Sequence, residues 1–381
     1  MTTPSLLIKN ALIYDPLQNS LQAEDLVIQK NQILQRGINL NVEAQRVINA
    51  DGYILAPGFI DHHCHIYQGS DNGLKADNYA LPLGCTALAD AGSTGCSNFK
   101  DFYENTVCKS TCDIYTYLNV GSSGQINEKA PENVYAIEEE RIFDLCQRYT
   151  NIRGLKLRYD NCCVKDSDLE PLLKAKHLAS SLKLPLCVHF SNHPKPLNDI
   201  CSVLGSGDVL CHTFNEQGES IIDKQGKILP CIKDAREKGL IFDSADGFKN
   251  FSFRVLRASL ESGFAPDIIS TDIIKPRAFT STSFGLPYTM SKYLGLGMDI
   301  KDVLKAVTIS PLKALGVNID NIMQSGACAD LCLFKLQDID KFRITDAYGE
   351  FLDLKQLIIP KVTICKGQIT FASLEIWGNN F

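Results

Sequence analysis

The sequence predicts an α/β fold: a (β/α)8 barrel of the TIM type, with a small β-sandwich built from both termini. Three observations predict it. Eight short apolar segments, most followed by a helical pattern, fill the middle of the 381-residue chain. Short alternating β segments fill both ends. Four of the seven histidines fall where the apolar segments end, the position at which such barrels carry their chemistry.

From Ser5 to Val47 the chain reads as short strands, at Leu6–Asn10, Ala11–Tyr14, Asp25–Ile28 and Gln32–Gln35. Asp15-Pro16 and several Asn and Gly residues supply the turns between them. The same grammar returns at Ala329–Phe334, Ile358–Ile364 and Gln368–Phe371. Neither piece is long enough to stand comfortably alone. Residues 1–55 and 321–381 are therefore expected to form one composite β-sandwich domain where the chain ends meet; two unrelated edge decorations are the alternative.

Residues 56–320 change rhythm to strand-then-helix. Strand candidates are Ile60–His63, Thr86–Asp90, Asp113–Asn119, Gly154–Arg158, Pro185–His189, Asp208–His212, Leu240–Asp243 and Asp267–Asp272. Asp166–Leu182 and Phe251–Ser262 carry helical periodicity. An open doubly wound sheet is the runner-up, and the absence of a Gly-x-Gly-x-x-Gly turn after the first strand counts against it.

Composition narrows the function classes. Hydrophobic residues at 45% and charged residues at 22% are ordinary for a globular protein. A net charge of −6 without a basic block argues against a nucleic-acid surface. No apolar run approaches the ~20 residues of a membrane span, and Met1–Ser5 lacks the basic start of a secretory signal. Fifteen cysteines in such a chain read as reduced, buried small residues, so the expected compartment is the cytoplasm.

The first strand ends in Asp61-His62-His63-Cys64-His65. Strand alternation puts His63 and His65 on one face, where two imidazoles can share a divalent metal. It also turns Cys64 away and His62 outward. Lys156 lies inside strand four, His189 and His212 end strands five and six, and Asp272 ends strand eight. Singly, each has a bland reading: a rim histidine, an ion-paired lysine, an N-cap aspartate. As an ordered set they point to a metal centre.

The set resembles the amidohydrolase superfamily over essentially the whole chain, and within it the deacetylase-type branch, which is dihydroorotase-like. The carrying segments are Ala56–Gly69, Asp90–Gly95, Gly154–Arg158, Gly207–Asn215 and Pro266–Asp272, with Leu286–Lys292 as a match at branch level. The resemblance implies two divalent metal ions, zinc by preference. His63, His65 and Asp272 would hold the more buried ion, and His189 and His212 the other. Lys156 would bridge them as an N6-carboxylated lysine, since a bare ammonium cannot ligate a cation. Asp272 would serve as the catalytic proton acceptor. The implied reaction is hydrolysis of an amide or ester by a metal-bridging hydroxide. The substrate would be a small N-acyl or O-acyl carboxylic acid, and the protein a homo-oligomer.

Two departures bear on substrate. Dihydroorotases usually carry an arginine two residues after the second strand-one histidine; here Tyr67 stands there. Relatives in the branch tend to have His-Gly where this chain has Asp246-Gly247. A cyclic amidohydrolase of dihydroorotase or hydantoinase type is the rival enzyme, and an inert scaffold relative the rival outside enzymes. Arg158, on the same strand face as Lys156, is the expected substrate cation. Ser123, Lys292 and His193 are further candidate contacts. Cys211 and Cys187 are read as packing, Cys162-Cys163 as a poor chelate, and His177 as part of a polar helix face.

Overall fold

The computed structural model describes residues 3–127, 131–165, 168–280 and 284–376. The alternating N-terminal segments form β1 (Leu6–Asp15), β2 (Ser20–Gln29), β3 (Gln32–Gly37), β4 (Val47–Asn49) and β5 (Ile54–Pro57). The middle of the chain supplies β6 (Phe59–Cys64), β7 (Cys85–Asp90), β8 (Asp113–Asn119), β9 (Ile152–Arg158), β10 (Leu186–His189), β11 (Val209–Cys211) and β12 (Ile241–Asp243). The C-terminal part adds β13 (Leu331–Thr345), β14 (Phe351–Cys365) and β15 (Gln368–Ala372).

Both chain ends enter one sheet, in the order β15-β14-β13-β5-β1-β2-β3, with β4 pairing β1. β1 and β2 run antiparallel from Leu6↔Ile28 to Asp15↔Ser20. β5 joins the halves, parallel to β1 on one side and antiparallel to β13 on the other, where Pro57 faces Leu331. Leu6, Ile8, Ile13, Leu26 and Ile28 pack with Leu331, Leu333, Val362 and Ile364 in a core of their own.

The remaining seven strands, β6 to β12, lie side by side in chain order, all parallel. This sheet is curled. The segment 268–273 makes one parallel bridge to each of its edges, Asp243↔Ile268 and Cys64↔Ile273. The eighth expected strand is thus two isolated bridges rather than a ladder. Ala89, Tyr117, Cys187, Val209, Cys211 and Ala245 fill the interior, while the larger aliphatic and aromatic residues pack between strands and helices.

The helix expected from Asp166 is described from Glu170 to Leu182; its expected start lies outside the described residues. The helix expected from Phe251 runs Phe253–Glu261, because Ser252 caps it by accepting from the Val255 amide. Among the described residues no helix is long and apolar enough to cross a membrane.

Candidate metal centre

The C-terminal ends of the parallel strands bring the expected ligands to one cleft of about 260 Å³, lined by His63, His65, Lys156, His189, His212 and Asp272 among others. Asp272 Oδ1 lies 3.5 Å from His63 Nε2 and 3.4 Å from His65 Nε2. These three residues offer donor atoms all within 4.8 Å of one another. The ring centroids of His63 and His212 are 5.1 Å apart, and those of His189 and His212 4.3 Å. Lys156 Nζ stands 3.4 Å from His63 Nε2.

Local backbone conformation aims these groups. His212 and Asp272 both adopt positive φ, 67° and 48°, which turns each side chain off the path that simple alternation would give it. The amide of Asp272 donates to the His63 carbonyl at 2.7 Å, tying segment 268–273 to the end of β6. Buried Asp61 accepts from the Thr271 amide at 3.0 Å and from the Thr271 and Tyr79 hydroxyls, so it pins the residue next to Asp272. Two glycines make room. A Cβ on Gly92 would lie 2.6 Å from Lys156 Cγ, and one on Gly247 would lie 2.6 Å from Asp272 Oδ2.

Outer partners orient the rings. His212 Nδ1 donates to the Ala245 carbonyl at 2.7 Å, which leaves Nε2 free to ligate. His65 Nδ1 shares a 2.9 Å bond with the Ser93 hydroxyl, and the Ser93 amide donates to Asp90. His189 Nε2 and the Ser191 hydroxyl are 2.8 Å apart.

Burial first, and then neighbouring cations, hold His63 and His189 well below the usual imidazole pKa. Both rings are therefore uncharged, as ligation requires. Burial opposes the charge of Asp272, but a hydrogen bond from His65 and the nearby His212 and Lys156 outweigh it and lower its pKa. Burial opposes the charge of His212 as well, but Cys211 and Asp272 outweigh it and raise its pKa. The donor set of imidazoles and an ionised carboxylate, converging on a buried point, fits a borderline-soft divalent cation. Burial opposes the charge of Lys156, yet Cys187, Cys211 and Asp272 outweigh burial and raise its pKa. Its ammonium is not disfavoured in the metal-free protein. In that form it is a donor only, and it would need an added carboxylate to ligate.

Of the expected substrate contacts, Arg158 lines the cleft, along with Asn119, Gln125, Glu132, Asp160 and Asn250. Ser123, Lys292 and His193 are not among the lining residues. The Ser123 hydroxyl turns to the Gly124 carbonyl. His193 stacks on Phe190, and its ring nitrogens bond the Lys195 and Glu219 carbonyls. Lys292 is buried in an ion pair, 2.6 Å from Asp246, whose other oxygen accepts from the Tyr293 hydroxyl. Asp246 thus stands in a buried polar network. Tyr67 packs its ring edge-on against Phe102, outside the cleft lining.

Two further expectations are corrected. The β6 register slips between Asp61 and Cys64. This brings His62 inward, fully buried, with Nδ1 2.9 Å from Asp243 and Nε2 2.8 Å from the Tyr117 hydroxyl. Cys211 also points into the barrel. Its Sγ is 3.1 Å from Lys156 Nζ, and it forms a second group of possible metal donors with His63 and His212. No sequence signal pointed to Glu132 or Asn250; both reach the cleft from loops.

No family model matches the chain. It is 31% identical to a deacetylase of Agrobacterium fabrum over 334 residues, 86% of this chain and 82% of that one. It is 29% identical to a deacetylase of Brucella anthropi, over 94% of this chain and 91% of that one. A crystal structure of a dihydroorotase superposes with a TM-score of 0.89 at 29% identity, covering 98% of both chains. With the strand-end histidines, the lysine and the aspartate gathered in one cleft, these likenesses assign the family: the chain belongs to the amidohydrolase superfamily of hydrolases, in its deacetylase-type, dihydroorotase-like branch.

Proposed function

We propose that this protein is a binuclear-metal-dependent hydrolase that deacylates a small N-acyl or O-acyl carboxylic acid. The observation that carries the reading is the convergence of His63, His65 and Asp272, donor atoms within 4.8 Å, beside His189, His212 and Lys156. In this reading His63, His65 and Asp272 hold the deeper ion and His189 and His212 the second. Lys156, once carboxylated, would complete the set, and zinc would suit the donors. Two such ions, when bound, acidify a water between them and polarise the acyl carbonyl.

The chain's own residues handle protons and position. Asp272 accepts a proton as the water oxygen bonds to the acyl carbon. The tetrahedral adduct then breaks its bond to the leaving nitrogen or oxygen, which takes the proton back from Asp272. Asn250 donates to Asp272 Oδ2 at 3.2 Å and so fixes the carboxylate. Arg158 binds the substrate carboxylate.

Tyr67, packed on Phe102, offers no cation where a dihydroorotase would need one, which disfavours the cyclic-amide reading. The full set of six candidate ligands disfavours an inert scaffold. The shared sheet supports treating residues 1–55 and 321–381 as a composite β-sandwich domain beside the 56–320 barrel. Fifteen free cysteines support a reducing, cytoplasmic setting, and the resemblance supports a homo-oligomer acting on small molecules without nucleic acid or membrane.

The test is acetate release by zinc-loaded protein from N-acetyl amino acids and O-acetyl hydroxy acids. Dihydroorotate and hydantoin serve as cyclic controls, and the Asp272→Asn protein as blank. Release that vanishes in the blank is expected. Ring opening without acetate release would overturn the reading.

A further inference from the structure

One wall of the cleft carries a polar pair that the chemistry above leaves half used. Glu132 is only 4% exposed and lines the cleft. Its Oε2 accepts from Asn119 Nδ2 at 2.9 Å, while its Oε1 has no hydrogen-bond partner among the described residues. Beside it, Arg158 donates through Nε to Asp160 Oδ2 at 2.7 Å, and its Nη1 is likewise without a hydrogen-bond partner, 3.9 Å from Glu132 Oε1. The other oxygen of Asp160 is taken by the Cys162 and Cys163 amides at 2.9 and 3.0 Å. Both oxygens of Asp160 are therefore occupied, and Oδ2 holds the guanidinium in place.

What remains is one acceptor and one donor side by side, withdrawn from bulk water and without a hydrogen bond, joined only by their long 3.9 Å ion pair. Buried polar atoms without partners are rare in folded proteins and mark a place where something else binds. A ligand with only a carboxylate would satisfy Arg158 and meet Glu132 as a like charge. One with only an ammonium would satisfy Glu132 and meet Arg158. A head group that carries an ammonium and a carboxylate on one carbon satisfies both, in charge-assisted bonds.

We propose that Glu132 and Arg158 form a subsite for the zwitterionic head of an amino acid, so that the substrate is an amino acid acylated on its side-chain nitrogen or oxygen. The proposal rests on the deacylase reading and narrows it. Acylation of the α-nitrogen would remove the ammonium charge that Glu132 recognises, so the acyl group sits at the far end. The spacing agrees. Arg158 follows Lys156 by two residues on the same strand face, a rise of ~6.6 Å, which sets the head group a few bonds from the carbonyl at the metal ligands.

Binding and turnover test it separately, on the zinc-loaded full chain. Calorimetry compares both enantiomers of ornithine with δ-aminovalerate, which lacks the α-amine, and putrescine, which lacks the carboxylate. Ornithine is expected to bind about tenfold tighter than either. Glu132→Gln should abolish the preference over δ-aminovalerate and Arg158→Lys the preference over putrescine, with metal content and Tm unchanged. Equal binding of ornithine and δ-aminovalerate, no binding of any of the three, or a Glu132→Gln protein that keeps the preference would overturn the subsite.

Acetate release is then measured from δ-N-acetylornithine and O-acetylserine against N-acetyl-α-amino acids. Faster turnover of the side-chain-acylated compounds, with KM rather than kcat moved by Glu132→Gln, supports the proposal. Turnover of the α-N-acetyl compounds alone overturns the subsite and leaves the deacylase standing. Ornithine binding with no acetate from any compound leaves the subsite standing and overturns the deacylase.

Discussion

Lys156 Nζ and Cys211 Sγ lie 3.1 Å apart, reaching toward each other across the intervening β10. Beside this contact, with Cys187 Sγ 3.8 Å from the same nitrogen and Asp272 nearby, the Lys156 pKa is raised despite full burial. In the proposed centre Lys156 would give up that proton and gain a carboxylate as metal enters. Protein stripped of metal and handled without carbon dioxide should take up one tight equivalent of zinc, and bicarbonate should restore a second. Atomic emission on desalted protein measures both. Two equivalents without bicarbonate would remove Lys156 from the ligand set.

Asp272 carries the proton in the proposed reaction, so Asp272→Asn should lower kcat by about 10²- to 10⁴-fold. The amide still offers an oxygen to the site. Metal content should therefore fall much less than turnover, and the two are measured on one preparation. A variant that loses both together would make Asp272 a ligand only.

The depressed pKa of His189 predicts a pH dependence of stability in metal-free protein. Below the ordinary 6.5 the unfolded ring binds a proton that the folded ring does not. Stability from this group is complete above that pH and drains as pH falls, by up to about 1.4 kcal/mol per unit. Urea titrations between pH 7 and 5 should show a shallower loss for His189→Asn than for the native chain. Parallel curves would mean that the native ring titrates normally.

Lys292 was expected at the substrate and is instead paired to Asp246 at 2.6 Å beneath the Phe251 ring. Lys292→Met should leave a buried carboxylate without its cation and cost about 3–5 kcal/mol of stability. KM at low temperature should change less than about twofold, since no substrate contact is lost. A large KM change in a stable variant would return Lys292 to the site.

What the sequence made legible follows from periodicity. The gathering of His63, His65, Lys156, His189 and His212 in one cleft was readable because short parallel strands end at one face, and apolar runs mark those ends. The failures share a physical cause: single backbone conformations that no pattern encodes. A slipped register in β6 hid the inward turn of His62, and the positive φ of His212 hid Cys211. The Lys292–Asp246 pair joins a helix to a strand-end loop, a tertiary contact without local trace. Glu132 was invisible for a similar reason. It belongs to a loop, and only the fold sets it beside Arg158.

The pairing of Pro57 with Leu331 has a consequence for how the protein is made. A ribosome finishes β1 to β5 long before β13 exists, so the middle strand of the terminal sheet waits with one edge open while the whole barrel is synthesised. Such an edge is a template for any passing strand. The chain is most exposed to misassociation in that interval, and the docking of β13 on β5 ends it.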